Sequence, residues 1–121
     1  MGDAHSNMGD GELLICGLEI PSVTTVKVTV LKGQEYPLPF LVNDDSVMAI
    51  ASAETLDAAT VKAAENMQSF LVDHLKMDPI EAGMFLSVGG DLRVCQVVNP
   101  LKTVRVEVEK SVIESYNYTL Q

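Results

Sequence analysis

The sequence predicts an α+β fold: a mostly antiparallel β-sheet with two packed helices, in strand-strand-strand-helix-helix-strand-strand order. Three observations carry this expectation. Short runs of apolar and β-branched residues, broken by turn residues, occupy 13–53 and again 92–108. Between them lies a stretch, 56–77, whose apolar residues recur at three- and four-residue steps. Strands and helices thus come in blocks, whereas a doubly wound parallel sheet alternates them.

Residues 1–12, MGDAHSNMGDGE, are rich in Gly and Asp. The apolar run Leu13-Leu14-Ile15-Cys16, then Gly17 and Leu18-Glu19-Ile20, reads as a buried strand with a bulge at Gly17. Pro21-Ser22 makes a turn. Val23 to Leu31 then alternates, Val26, Val28 and Val30 against Lys27 and Thr29. That is the pattern of a half-exposed strand, paired with the preceding one as an antiparallel hairpin. Lys32-Gly33 and Pro37-Leu38-Pro39 form a connecting loop, and Ser46 to Ala53 is a further short strand.

From Leu56 to Met77 the set Ala64, Met67, Leu71 and Leu75 gives a helix a core-facing stripe. Asp78 caps a second helix, with Pro79 at the first helical position, where its missing N–H costs nothing. Glu81, three residues after the cap, completes a capping box, and Gly89-Gly90 ends the helix. Leu92–Val98 and Thr103–Val108 read as strands separated by the Asn99-Pro100 turn. The tail from Lys110 to Gln121 is a helix or an arm.

The 121 residues fit one domain, 1–121, with a modest core. Eight Lys and Arg against 17 Asp and Glu leave a net charge of −9, which repels phosphate backbones and excludes nucleic acid as a partner. There is no apolar run long enough for a transmembrane helix and no basic-then-apolar secretory leader, so membrane insertion and secretion are not expected. Cys16 and Cys95 lie in strand-like runs without CxxC spacing and read as buried thiols of a reducing, cytoplasmic setting. The chain opens on loop-type residues, as though mid-fold.

The densest set of candidate ligands is Asp3, His5, Asp10 and Glu12, an acidic site motif within residues 1–12. In extended backbone, residues two apart project to the same side, so Asp3 pairs with His5 and Asp10 with Glu12. Gly9 and Gly11 let the chain bend so that the two pairs converge. Imidazole with carboxylates suits a divalent ion such as zinc, and a carboxylate left off the metal can take a proton from water. Asp and Gly are equally the ordinary composition of turns, and a histidine near a terminus is usually solvated. His74, near a helix end, reads as structural. Asp91 and Arg93 share a strand face as an ion pair, also structural. The methionines read as core filling. No phosphate loop and no GxSxG elbow is present.

Gly2-Asp3-Ala4-His5 with Met8-Gly9-Asp10-Gly11-Glu12 resembles the central acidic motif of the acetamidase/formamidase family. Ile50-Ala51-Ser52-Ala53-Glu54-Thr55-Leu56-Asp57 and the run Leu86 to Val98 are similar to later family segments, as are Asn99-Pro100-Leu101-Lys102 and Lys110-Ser111-Val112. The resemblance implies hydrolysis of a small linear amide, such as formamide or acetamide, to carboxylate and ammonia. It also implies a divalent metal, zinc by preference, held by Asp3 and His5. Glu12 is then the general base, and Asp10 ligates or orients. Members are more than twice this length, so the chain is expected to be a carboxyl-terminal part whose amino-terminal half supplies further ligands. Expected partners are the small amide substrate and either further copies of the chain or a complementing amino-terminal half. Without that half, apolar surface is expected to lie exposed. The alternative is a non-catalytic oligomerising scaffold derived from such a hydrolase.

Overall fold

The computed structural model describes residues 4–15, 17–33 and 35–120. The elements run β1 (His5–Asn7), β2 (Leu18–Glu19), β3 (Phe40–Val42), β4 (Ser46–Ala53), α1 (Leu56–Leu75), α2 (Pro79–Gly89), β5 (Gly90–Gln96), β6 (Lys102–Glu109) and α3 (Lys110–Ser115). The architecture is α+β with antiparallel pairing throughout: β1 with β2 as a small ribbon, and a four-stranded sheet in the order β3-β4-β6-β5.

Strand alternation gives this sheet two unlike faces. Val47, Ala49 and Ala51 of β4 and Val104, Val106 and Val108 of β6 are buried beneath the helices. Helix α1 meets them with Ala59, Ala63, Met67, Phe70, Leu71 and Leu75, the expected helical spacing with a wider stripe than the sequence marked. Two alanines in its first turns let it approach the sheet closely. The Thr55 side chain caps α1 by accepting from the Ala58 N–H at 3.2 Å. Asp78 caps α2 by accepting from Ile80 and Glu81 N–H at 2.9 and 3.3 Å, with Pro79 where expected. Gly90 takes over as the first residue of β5.

The opposite face carries Ile50 and Ser52 of β4, Thr103, Arg105 and Glu107 of β6, and Asp91 and Arg93 of β5, in register across the ladder. A hydrogen bond of 2.9 Å between Ser52 Oγ and Thr103 Oγ1 confirms that these rows share a face. It is on this polar face that the turn around Asp10 settles.

Two expectations fail. Leu13–Ile20 is not a buried strand, and it makes no hairpin with Val23–Leu31. Only Leu18–Glu19 of it is strand, and its partner is β1. Leu13, Leu14 and Ile15 stand exposed, and residues 20–31 take no regular structure. β propensity expresses itself through cross-strand neighbours and a covered face, and neither run finds them here. Strand β3 carried no legible period because it is three residues long. Cys95 is a half-buried free thiol, whereas Cys16 lies outside the described residues. Among the described residues no helix is long and apolar enough to cross a membrane.

Candidate functional site

Gly9-Asp10-Gly11-Glu12 forms a tight turn closed by the Glu12 N–H donating to the Gly9 carbonyl at 3.1 Å. Gly11 sits at φ +95°, open to glycine and costly for any other residue. Glu12 itself has φ 32°, a left-handed conformation that costs a non-glycine residue about 1 kcal/mol. Strain of this kind persists only where the surroundings enforce it. Two contacts do so. The buried Gly11 accepts through its carbonyl from the Val97 N–H at 3.0 Å, which docks the turn on the end of β5. Arg105 of β6 then clamps Asp10: Nη1 donates to Oδ1 at 2.9 Å and Nη2 to Oδ2 at 3.0 Å.

Arg105 is held in its turn. Its Nε donates to Glu107 Oε1, and Nη1 reaches Cys95 Sγ at 3.6 Å. Arg93 lies directly across the ladder from Arg105, a like-charge pairing that is unfavourable alone. Glu107 relieves it by bonding both arginines, with Arg93 Nε at 3.1 Å, while Asp91 stands 3.5 Å from Arg93 Nη2. The Arg105 guanidinium holds the Asp10 carboxyl below the ordinary aspartate range, chiefly by its hydrogen bonds, against a smaller opposing effect of burial. Reciprocally, the Asp10 hydrogen bonds, followed by those of Cys95 and Glu107, raise the Arg105 pKa, against burial.

Asp10 and Glu12 line one open cavity of about 450 Å³, with Asn7, Met8, Leu14 and Leu18 among its walls. Among the described residues no donor engages the Glu12 carboxylate. His5 does not join them. It faces Glu19 across the β1–β2 ribbon, Nε2 to Oε1 at 3.9 Å. Gly17 makes this fit possible, since a Cβ there would lie 2.9 Å from the His5 ring. Asp3 lies outside the described residues. Among the described residues no three His, Cys, Asp or Glu side chains converge as a metal site. His5 and Glu19 are two donors, and Arg105 occupies Asp10, so the described side chains do not by themselves fit a metal ion.

The sequence reading missed Arg105, Glu107 and Glu19. Their signal was alternation: Arg105 and Glu107 interleave with Val104, Val106 and Val108, which puts both charges on the face away from the core. His74 is structural, as expected, but through ring packing. It stacks on Tyr36 at 4.8 Å between centroids, Nδ1 lies 3.0 Å from the Tyr118 hydroxyl, and Nε2 lies 2.8 Å from the Glu35 carbonyl. The expected Asp91–Arg93 pair is present within the larger network.

Fold and site together define an α+β unit, a helix-backed antiparallel sheet bearing an arginine-clamped acidic turn on its polar face. The solved structures it resembles include an acetamidase from Bacillus halodurans, 52% identical with a TM-score of 0.88, over 93% of this chain and 38% of that one. They include a recombinant predicted acetamidase/formamidase from the thermophile Thermoanaerobacter tengcongensis, 31% identical with a TM-score of 0.85, over 96% and 38%. An acetamidase from Yersinia enterocolitica is 32% identical with a TM-score of 0.86, over 90% and 33%. No family model and no curated protein matches the chain. The chain is therefore related in sequence and fold to the acetamidase/formamidase family, and it spans little more than a third of the length of the Bacillus protein, an extent consistent with a carboxyl-terminal part.

Proposed function

We propose that this chain contributes the acidic turn of an amide hydrolase acting on small linear amides of the formamide and acetamide type. The observation that supports it most is 52% identity with an acetamidase across 93% of the chain. In this reading Glu12 is the general base. Its carboxylate takes a proton from water as the water oxygen bonds to the amide carbon, then returns that proton to the nitrogen as the C–N bond breaks, releasing ammonia and the acid, which ionises to carboxylate. Asp10, tied to Arg105, orients the turn that aims Glu12 into the cavity. The apolar walls Leu14 and Leu18 suit the methyl group of an acetamide-type substrate. A divalent ion, zinc by the chemistry of imidazole with carboxylate, is part of the proposal, with His5 and Asp3 as donors and others supplied from outside the described residues. No step is assigned to it. The setting is cytoplasmic, and polypeptide equivalent to the rest of the relatives' length, or further copies of the chain, completes the site.

Ammonia release from formamide and acetamide tests the reading, using the chain alone and co-expressed with the remaining part of the Bacillus acetamidase, with and without added zinc. Turnover by the folded complex, falling about 10²- to 10⁴-fold in Glu12→Gln, is the expected result. A folded complex that releases no ammonia from any small amide would sink the activity. Full turnover in Glu12→Gln would sink the base alone. A non-catalytic scaffold is the second reading, favoured by the matched stretch being only 38% of the Bacillus protein. It expects a stable complex without turnover.

A further inference from the structure

Residues Val23 to Leu31 form the most β-prone run of the chain: every residue from Val23 to Val30 except Lys27 is β-branched. Yet among the described residues none from 21 to 31 takes part in a backbone ladder, and the alternating Val26, Val28 and Val30 are 60%, 87% and 76% exposed. A strand with no neighbour and no covered face is an unsatisfied template for another chain. Leu13, Leu14 and Ile15 are exposed as well, the first two on the cavity wall. The matched stretch is 38% of the Bacillus acetamidase, so most of that protein is polypeptide with no counterpart in these residues.

We infer that Val23–Leu31 is a docking strand, completed by a β-strand from polypeptide equivalent to the unmatched part of the acetamidases. Pairing would give the segment its missing ladder and bury the Val26, Val28 and Val30 row, leaving Lys27 and Thr29 outward. A second copy of this chain is the poorer occupant, because a charge of −9 on each copy opposes self-association. The inference rests on kinship with the acetamidases and is read without turnover, so it stands or falls separately from the proposed chemistry.

The test is a chimera in which these 121 residues replace the matched stretch of the Bacillus acetamidase, compared with the chain alone by amide hydrogen exchange and by mass in solution. Amides of 24–30 should exchange at least about tenfold more slowly in the chimera, while β4 and β6 amides are similar in both. Val28→Lys should abolish that protection in the chimera and leave the exchange of the chain alone unchanged. Fast exchange of 24–30 in a folded chimera would overturn the inference. So would a chimera that fails to fold where its parent folds, or a dimer of the chain alone that protects the same amides.

Discussion

Removing Arg105 tests whether the acidic turn is held by a real clamp. The guanidinium makes two parallel bonds to Asp10 at 2.9 and 3.0 Å, the fork geometry that distinguishes strong arginine pairs. At about 4 Å between charge centres and an effective dielectric near 20, Coulomb attraction is roughly 4 kcal/mol before any cost is subtracted. The Asp10 side chain is 52% exposed, so solvent screening and side-chain ordering remove most of that. Arg105 is only 17% exposed, and its bidentate grip places the net coupling near 1 kcal/mol, at the upper end for surface pairs. A double-mutant cycle of Arg105→Met and Asp10→Asn, read by urea unfolding at pH 7, measures this coupling without counting the loss of Glu107's partner. Asp10 has a depressed folded pKa. Its contribution is therefore present above the unfolded aspartate value and lost as pH falls through the folded one. The coupling should hold at neutral pH and fade below about pH 4. A coupling near zero at pH 7, or one equally large at pH 2, would show that the clamp does not hold the turn.

Glu12→Gly should relieve the positive φ and raise stability by about 1 kcal/mol in thermal unfolding, while Glu12→Gln leaves it nearly unchanged; a destabilised Gly variant would mean the strain is not borne at Glu12. Gly17→Ala puts a Cβ 2.9 Å from the His5 ring and 3.1 Å from the Asn7 carbonyl. It should open the β1–β2 ribbon, seen as faster amide exchange at Ile20, whose N–H bonds the Ala4 carbonyl at 3.0 Å. Tyr118→Phe removes the hydroxyl between Tyr36 and His74, 3.0 Å from each, and should cost about 1 kcal/mol at pH 7. Burial, then Tyr36, raises the Tyr118 pKa, so the wild type should lose stability as pH climbs past the unfolded value near 10. The Phe variant should lose less over the same range, and an unchanged alkaline slope would contradict that assignment.

Much of this fold was legible because its signals are local. Asp78 and Pro79 start α2 and Gly89-Gly90 stops it through hydrogen bonds and backbone preferences settled within a few residues. The stripe of α1 reports a buried face wherever that face lies. The acidic turn was legible for the same reason, since Gly11, at φ +95°, permits the bend between the carboxylates of Asp10 and Glu12.

Other features were decided at long range. Asp10 and Arg105 are 95 positions apart, and no period or spacing links them; the sheet order β3-β4-β6-β5 brings β6 under the turn. His5, which the sequence pairs with Asp3 two residues away, faces Glu19 because β2 returns beside β1, a contact that no local spacing marks. Val23–Leu31 has the stronger strand pattern, yet the ladder went to Phe40–Val42, which lies where β4 can receive it. The sequence by itself therefore determined which segments are able to be helix, strand or acidic turn. Only the tertiary structure decided which carboxylate is clamped, which is left free, and which strand goes unpaired. Propensity belongs to a residue and its near neighbours, whereas pairing, charge compensation and burial belong to whatever the folded chain brings alongside.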